Sequence, residues 1–272
     1  MLGRDLVEAA GSAGHEVVAV DRAEADVTNA AAVVATVRGA RPEVVINCAA
    51  WTDVDGAESA FDAALAVNGA GAGNVARAAA EHGAWVIHVS TDYVFDGSKR
   101  EPYLESDAAA PMSAYGRTKL AGETEVRQVA GDRYTIVRSS WLFGAGGPCF
   151  PATMLRLAAE RDELTVVDDQ IGSPTFTGHL AGALLELAAT RPLGVVHVAG
   201  GGACSWFELA RETIRSAALS CDVKPGRTVD LGRPAPRPAY SVLGTERGAV
   251  APRLPDWHDG LAEYLAATVP SA

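Results

Sequence analysis

The sequence predicts an α/β protein: a doubly wound parallel sheet with a smaller C-terminal subdomain. Three observations carry this. Short Val/Ile-rich runs alternate with alanine-rich stretches through the first half, the order that builds a parallel sheet covered by helices. The apolar runs end in small or polar residues, Asn47-Cys48-Ala49-Ala50 and Ser90-Thr91-Asp92, and ligands of such sheets bind at the carboxyl ends of strands. Beyond Gly144 the pattern loosens, so residues 1–144 read as the sheet half and 145–272 as a subdomain partly interleaved with it.

Leu2 to Ala13 reads as a helix with Leu2, Leu6, Val7 and Ala10 on one face. Glu16 to Val20 reads as a strand closed by Asp21. An acid at the end of a second strand suits a ribose hydroxyl pair, and a strand-end turn residue is the equal alternative. Gly3 precedes Asp21 by 18 positions, near the interval of about 20 that such folds use. Asp21 disfavours a 2′-phosphate and Arg22 favours one. Thr28 or Asn29 caps a helix reaching Arg38. Val44 to Asn47 is the next strand, and the small residues after it let a backbone approach a ligand. Asp53, Asp55 and Glu58 have no ligand-cage spacing and no histidine nearby, so they read as a solvated loop and helix start rather than a metal site.

Phe61 to His82 is helical and interrupted by Gly69, Gly71 and Gly73, which point to close packing on a neighbour. Asn68 reads equally as a core amide near the site or a surface amide. Val86 to Val89 is a buried strand, and Tyr134 to Arg138 is another. The subdomain follows: helices over Phe150 to Arg161 and from Thr177 to Ala189, strands at Leu164 to Val167 and Gly194 to Val198, and a closing helix from Trp257 to Ala267. Ser205 and Glu208 form a capping box. Gly226 to Pro238, rich in proline and arginine, is a surface loop whose Arg233 and Arg237 suit a diphosphate as planar bidentate donors.

Hydrophobic residues make up 48% of the 272 and charged ones 21%, enough for a buried core. The net charge of −11 argues against a nucleic-acid surface, though helix N-termini can still hold phosphates. No apolar run is long enough to span a membrane, and the N-terminus is not a signal peptide. Cys48, Cys149, Cys204 and Cys221 form no Cys-x-x-Cys pair, which indicates a reducing, cytoplasmic setting and no structural metal.

The chemistry centres on Tyr115-Gly116-Arg117-Thr118-Lys119. Ser113 caps a helix here, so Tyr115 and Lys119 stand one turn apart on one face. A phenol ordinarily titrates near 10, and a nearby ammonium favours its ionised form. Such a tyrosine exchanges a proton with a carbonyl or alcohol oxygen. The pair alone also fits a solvated helix face. The strand ending at Thr91 supplies the context, placing a hydroxyl where it can bond a substrate oxygen; a turn or cap role is the alternative.

Ser90 to Gly97, Tyr115 to Glu123, Arg138 to Trp141, Asp168 to Thr175 and Arg237 to Ser241, spread in order over most of the chain, resemble the dTDP-4-dehydrorhamnose reductase family of extended short-chain dehydrogenase/reductases. The resemblance implies reduction of the C4 keto group of dTDP-4-dehydro-L-rhamnose, a dTDP-linked 4-keto-6-deoxysugar, by NADPH or NADH. It makes Tyr115, Lys119 and Thr91 catalytic, and assigns the cofactor to Gly3, Asp21, Asp26, Val27, Ala49, Ala50, Trp51, Val89, Tyr115 and Lys119. The substrate falls to Thr91, Asp92, Trp141 and Arg237; ordinary core is the alternative for Trp141. Some members are homodimers, some with Mg2+ at the interface, and no local motif here demands either. A sugar-nucleotide epimerase or dehydratase, or a non-catalytic regulatory subunit, are the rival readings.

The resemblance makes 1–144 a dinucleotide-binding domain, N-terminally incomplete. The family opens with a strand and Gly-x-x-Gly-x-x-Gly; here Gly3 matches the last glycine, and the strand and first two glycines are lacking. Met1 therefore reads as an internal methionine. The expected consequences are an exposed apolar slot in the sheet, poor folding and weak pyrophosphate binding.

Overall fold

The computed structural model describes residues 1–269. In chain order it contains α1 (Leu2–Ser12), α2 (Ala30–Ala40), β1 (Val44–Asn47), the short helices α3 (Gly56–Ser59) and α4 (Phe61–Leu65), a π-helical turn (Ala66–Gly71), α5 (Ala72–Glu81), β2 (Trp85–Thr91), α6 (Ala114–Ala130), β3 (Tyr134–Ser139), β4 (Leu142–Phe143), α7 (Phe150–Glu160), β5 (Glu163–Val167), β6 (Ile171–Gly172), β7 (Thr175–Phe176), α8 (Thr177–Thr190), β8 (Gly194–His197), β9 (Cys204–Ser205), α9 (Trp206–Ser216), β10 (Asp222–Gly226) and α10 (Trp257–Thr268). The four-stranded parallel sheet has the order β1-β2-β3-β8.

Both faces of that sheet are covered, which is why β2 is apolar or buried at almost every position. One face packs Val86 and Ile136 against α2, α5 and α6 through Val33, Ala76, Ala79 and Val126. The other packs Ile87, Val137 and Val196 against α8 and α1 through Leu180, Leu184 and Leu2. Although β8 and α8 follow residue 144, they belong to the main sheet. Outside this sheet, β5 pairs with β10, β4 with β7 and β6 with β9.

The Phe61–His82 stretch is one continuous helical path with a π turn where Gly69 and Gly71 fall. A Cβ on Gly71 would press on Val27, and one on Gly73 on Glu125. The expected strand Glu16–Val20 is not formed. The segment runs without a ladder partner among the described residues, and Val17, Val18 and Val20 are 39%, 58% and 47% exposed. An apolar, extended run becomes a strand only beside another strand, and β1 pairs with β2 alone.

Candidate active site

The site is built at the carboxyl end of β2 by the N-terminal turns of α6. Ser113 Oγ accepts from Gly116 N at 3.1 Å, and Glu58 Oε1 accepts from Ala114 N at 2.7 Å, so two side chains satisfy the first amides of α6. The helix lies close against its neighbours because it carries Gly116 and Gly122: a Cβ there would collide with the backbone oxygens of Tyr93 and Asn68.

Thr91, Asp92, Tyr115, Lys119 and Val89 come together. Tyr115 is half-buried beside Thr91; desolvation pushes its phenol up to about 12, the Thr91 hydroxyl pulls it down and Asp92 adds to the rise. Lys119 is buried and its ammonium donates to Val89 O at 2.7 Å. Burial draws Lys119 down to about 8, while Glu123 and Cys48 push it back. The groups that set the Tyr115 phenol are burial, Thr91 and Asp92, while the Lys119 ammonium is engaged by Val89 O. The phenol is fully protonated at neutral pH.

Asp92 is buried. Its carboxyl is pushed up to about 6 by burial, which hydrogen bonds from Ser241 and Thr91 partly offset. Thr91 Oγ1 lies 3.0 Å from Asp92 Oδ1, while Asp92 Oδ2 has no partner. Ser139, which β-pairing sets opposite Thr91 at the end of β3, is also buried with an unpartnered hydroxyl. Buried polar atoms are normally paired. Ser139 is a buried residue beside the strand end that sequence reasoning gave no role.

The segment after β1 is fixed by amides. Asn47 Oδ1 accepts from Ala49 N at 3.0 Å. Asn68 receives Trp51 N at 2.8 Å and donates to Trp51 O at 3.1 Å and to Thr118 Oγ1 at 3.0 Å. Asn68 is thus a core amide joining this segment to α6. The segment carries only alanine side chains at 49 and 50. Gly3 lies in the first turn of α1 with open space around it.

Asp21 and Asp26 are engaged in local turns. Asp21 Oδ1 accepts from Ala23 N at 2.7 Å, and Asp26 accepts from Thr28 and, at 3.2 Å, from Arg22. Val27 packs on the core face of α5, its carbonyl held by Asn74. Trp141 sits in the left-handed region at φ 48°, a strained conformation for a bulky residue. Its ring stacks on Trp206 at 3.5 Å between centroids, and Gly172 leaves room for it.

Asp55 is not the solvated acid the sequence suggested. It receives Arg233 Nη1, Arg237 Nη1 and Arg237 Nη2, each at 3.0 Å, and Ala235 N at 3.2 Å. The Arg237 bond leads the effects that hold its carboxyl down at about 2. Arg237 is therefore turned to Asp55 and Tyr93, and the Tyr93 ring meets Tyr115 edge-on at 5.6 Å. Glu58 caps α6, as given above. Charge complementarity with the arginine-rich 226–238 loop was the available signal for Asp55.

A family model described as RmlD substrate binding domain matches residues 1–269. The chain belongs to this family. A dTDP-4-dehydrorhamnose reductase of Streptomyces griseus is 45% identical over 98% of this chain and 90% of that protein. A dTDP-4-keto-6-deoxy-D-glucose reductase of Streptomyces niveus is 42% identical over 95% and 90%. The crystal structure of a Bacillus anthracis dTDP-4-dehydrorhamnose reductase in complex with NADP superposes with a TM-score of 0.95, at 39% identity over 98% of this chain and 95% of that one. The family's fold is the α/β architecture described above.

Proposed function

We propose that this chain reduces the C4 keto group of dTDP-4-dehydro-L-rhamnose with NADPH or NADH, giving dTDP-L-rhamnose. The observation that carries the reading is the meeting of Thr91, Tyr115 and Lys119 at the carboxyl end of β2, beside the unpartnered oxygens of Asp92 and Ser139. NAD(P)H, when bound, supplies the hydride that reaches the carbonyl carbon. The Tyr115 phenol, protonated at neutral pH, gives its proton to the carbonyl oxygen and regains one from solvent. The Thr91 hydroxyl, fixed by Asp92 Oδ1 and Tyr93 N, orients that oxygen. Lys119 borders the cofactor, with Ala49, Ala50, Trp51 and Val89 forming the wall and Gly3, Asp21, Asp26 and Val27 the adenosine side. Asp92 and Trp141 face the sugar. Arg237, with Arg233, meets the diphosphate, which takes over donors now held by Asp55.

The reading extends to a cytoplasmic homodimer; four free thiols support the compartment, and no described helix is long and apolar enough to cross a membrane. A second substrate, dTDP-4-keto-6-deoxy-D-glucose, is favoured by the likeness to the Streptomyces niveus reductase. The test is anaerobic mixing of the chain with each keto sugar and NADPH or NADH. One reduced nicotinamide is consumed per product, and Tyr115→Phe lowers kcat by about 10²-fold or more. Parental turnover by Tyr115→Phe, or sugar conversion without nicotinamide oxidation, contradicts the reading.

A further inference from the structure

On α6, Glu123 follows Lys119 by one turn and Tyr115 by two, on the same buried face. It is fully buried and accepts four hydrogen bonds: from Ser90 Oγ at 2.7 Å, Arg138 Nε and Nη2 at 2.8 Å each, and Arg127 Nη2 at 3.1 Å. Ser90 lies on β2 between Val89, which accepts the Lys119 ammonium, and Thr91, which meets Tyr115. Arg138 stands opposite Ser90 on β3. One carboxylate thus fastens the helix to two strands at the residue between both catalytic contacts. Packing alone does not call for this, since an apolar pair of similar volume often holds a core as well as a buried ion pair.

We propose that Glu123 is a positioning residue for the reduction. Held by Ser90 and Arg138, it sets α6 against β2 so that Tyr115 meets Thr91 while Lys119 meets Val89, and it supplies the anionic counter-charge of Lys119. The proposal rests on the catalytic reading of those residues. The titratable groups facing Lys119 are Glu123 on α6, Cys48 after β1 and His88 on β2. Burial lifts the Cys48 thiol to about 11 and lowers His88 well below its ordinary range, so both are neutral at pH 7. Arg138 holds Glu123 ionised against the desolvation of its carboxylate. Glu123 is therefore the standing anion beside Lys119 among the described residues.

The test is the pH dependence of kcat for the full chain with its keto sugar and NADPH. Glu123→Gln keeps the shape and removes the charge. Its kcat falls by about 10–100-fold with KM for both substrates within about threefold, as expected when reacting groups are misplaced. The alkaline limb of the profile, where Lys119 loses its proton, moves to lower pH by about one unit. The variant leaves Arg138 without its carboxylate partner, so a second one, Glu123→Leu with Arg138→Met, removes both charges and is checked for folding by thermal unfolding. It shows the same loss and the same shift. Folded variants with the parental kcat and alkaline limb overturn the proposal, and so does a double variant that cannot fold, which makes the pair structural. Tyr115→Phe in the same assay separates the two readings: if it turns over at the parental rate, the catalytic assignment itself fails.

Discussion

Asp92 shows how a residue can be legible in sequence while its chemistry is not. Its place after an apolar strand made it a candidate for the site, but its raised carboxyl comes from burial, against which Ser241, from far along the chain, pulls it down. Asp55 escaped for the same reason: its partners, Arg233 and Arg237, are brought to it only by the fold. The Asp92 shift has a definite sign in stability. Its folded value, about 6, exceeds the ordinary value of 3.8, so the folded state holds the proton more tightly than the unfolded chain. The stabilisation is complete below pH 3.8 and is lost as pH rises through 6. Asp92→Asn removes a carboxylate that is desolvated above that range. At pH 7–8 the variant is therefore more stable than the parent by about 1–3 kcal/mol, and the gain vanishes near pH 4. Urea unfolding of both proteins across pH 4–8 reads this directly, and a stability difference that does not change with pH refutes it. Turnover falls in the same variant if Asp92 faces the sugar.

At the scale of elements, the periodicities placed the helices and the sheet strands because each buries a face or a whole strand in one of two cores. The two-residue strands β4, β6, β7 and β9 and the π turn left no such trace, since they arise from pairings and packing between distant segments. Glycine roles divide in the same way. On α6, a Cβ at Gly122 collides with the carbonyl of Asn68, which itself ties the Trp51 segment to the helix. On α8, Gly182 is exposed, with nothing within 4 Å of its Cβ position. Alanine ordinarily gains about 1 kcal/mol over glycine inside a helix. Gly182→Ala thus stabilises by about 0.5–1 kcal/mol. Gly122→Ala reverses the sign: overpacking against backbone costs about 1–3 kcal/mol beyond that gain, and displacement of α6 lowers kcat as well. Opposite shifts of Tm in the two variants check the pair, and shifts in the same direction contradict it.

Across the whole molecule, the sequence carried the parallel sheet and the family, because strand ends and the Tyr115–Lys119 spacing are local patterns. It misplaced Glu16–Val20 because a strand is defined by its neighbour, and local composition is silent about that. The structure divides the backbone into two regimes. Amides of β2 and β3 are bonded on both sides and covered by two cores, so they open only when the molecule unfolds. Amides of Val17 to Val20 have no ladder partner among the described residues, and their side chains are largely exposed. Hydrogen exchange followed by mass spectrometry should show peptides over 85–91 and 134–139 protected by most of the global stability, about 5–15 kcal/mol for a protein of ordinary stability. The peptide over 16–20 should exchange near the rate of an unstructured chain. Strong protection there would mean that the segment is paired in solution, and that the working sheet is wider than the four strands β1-β2-β3-β8.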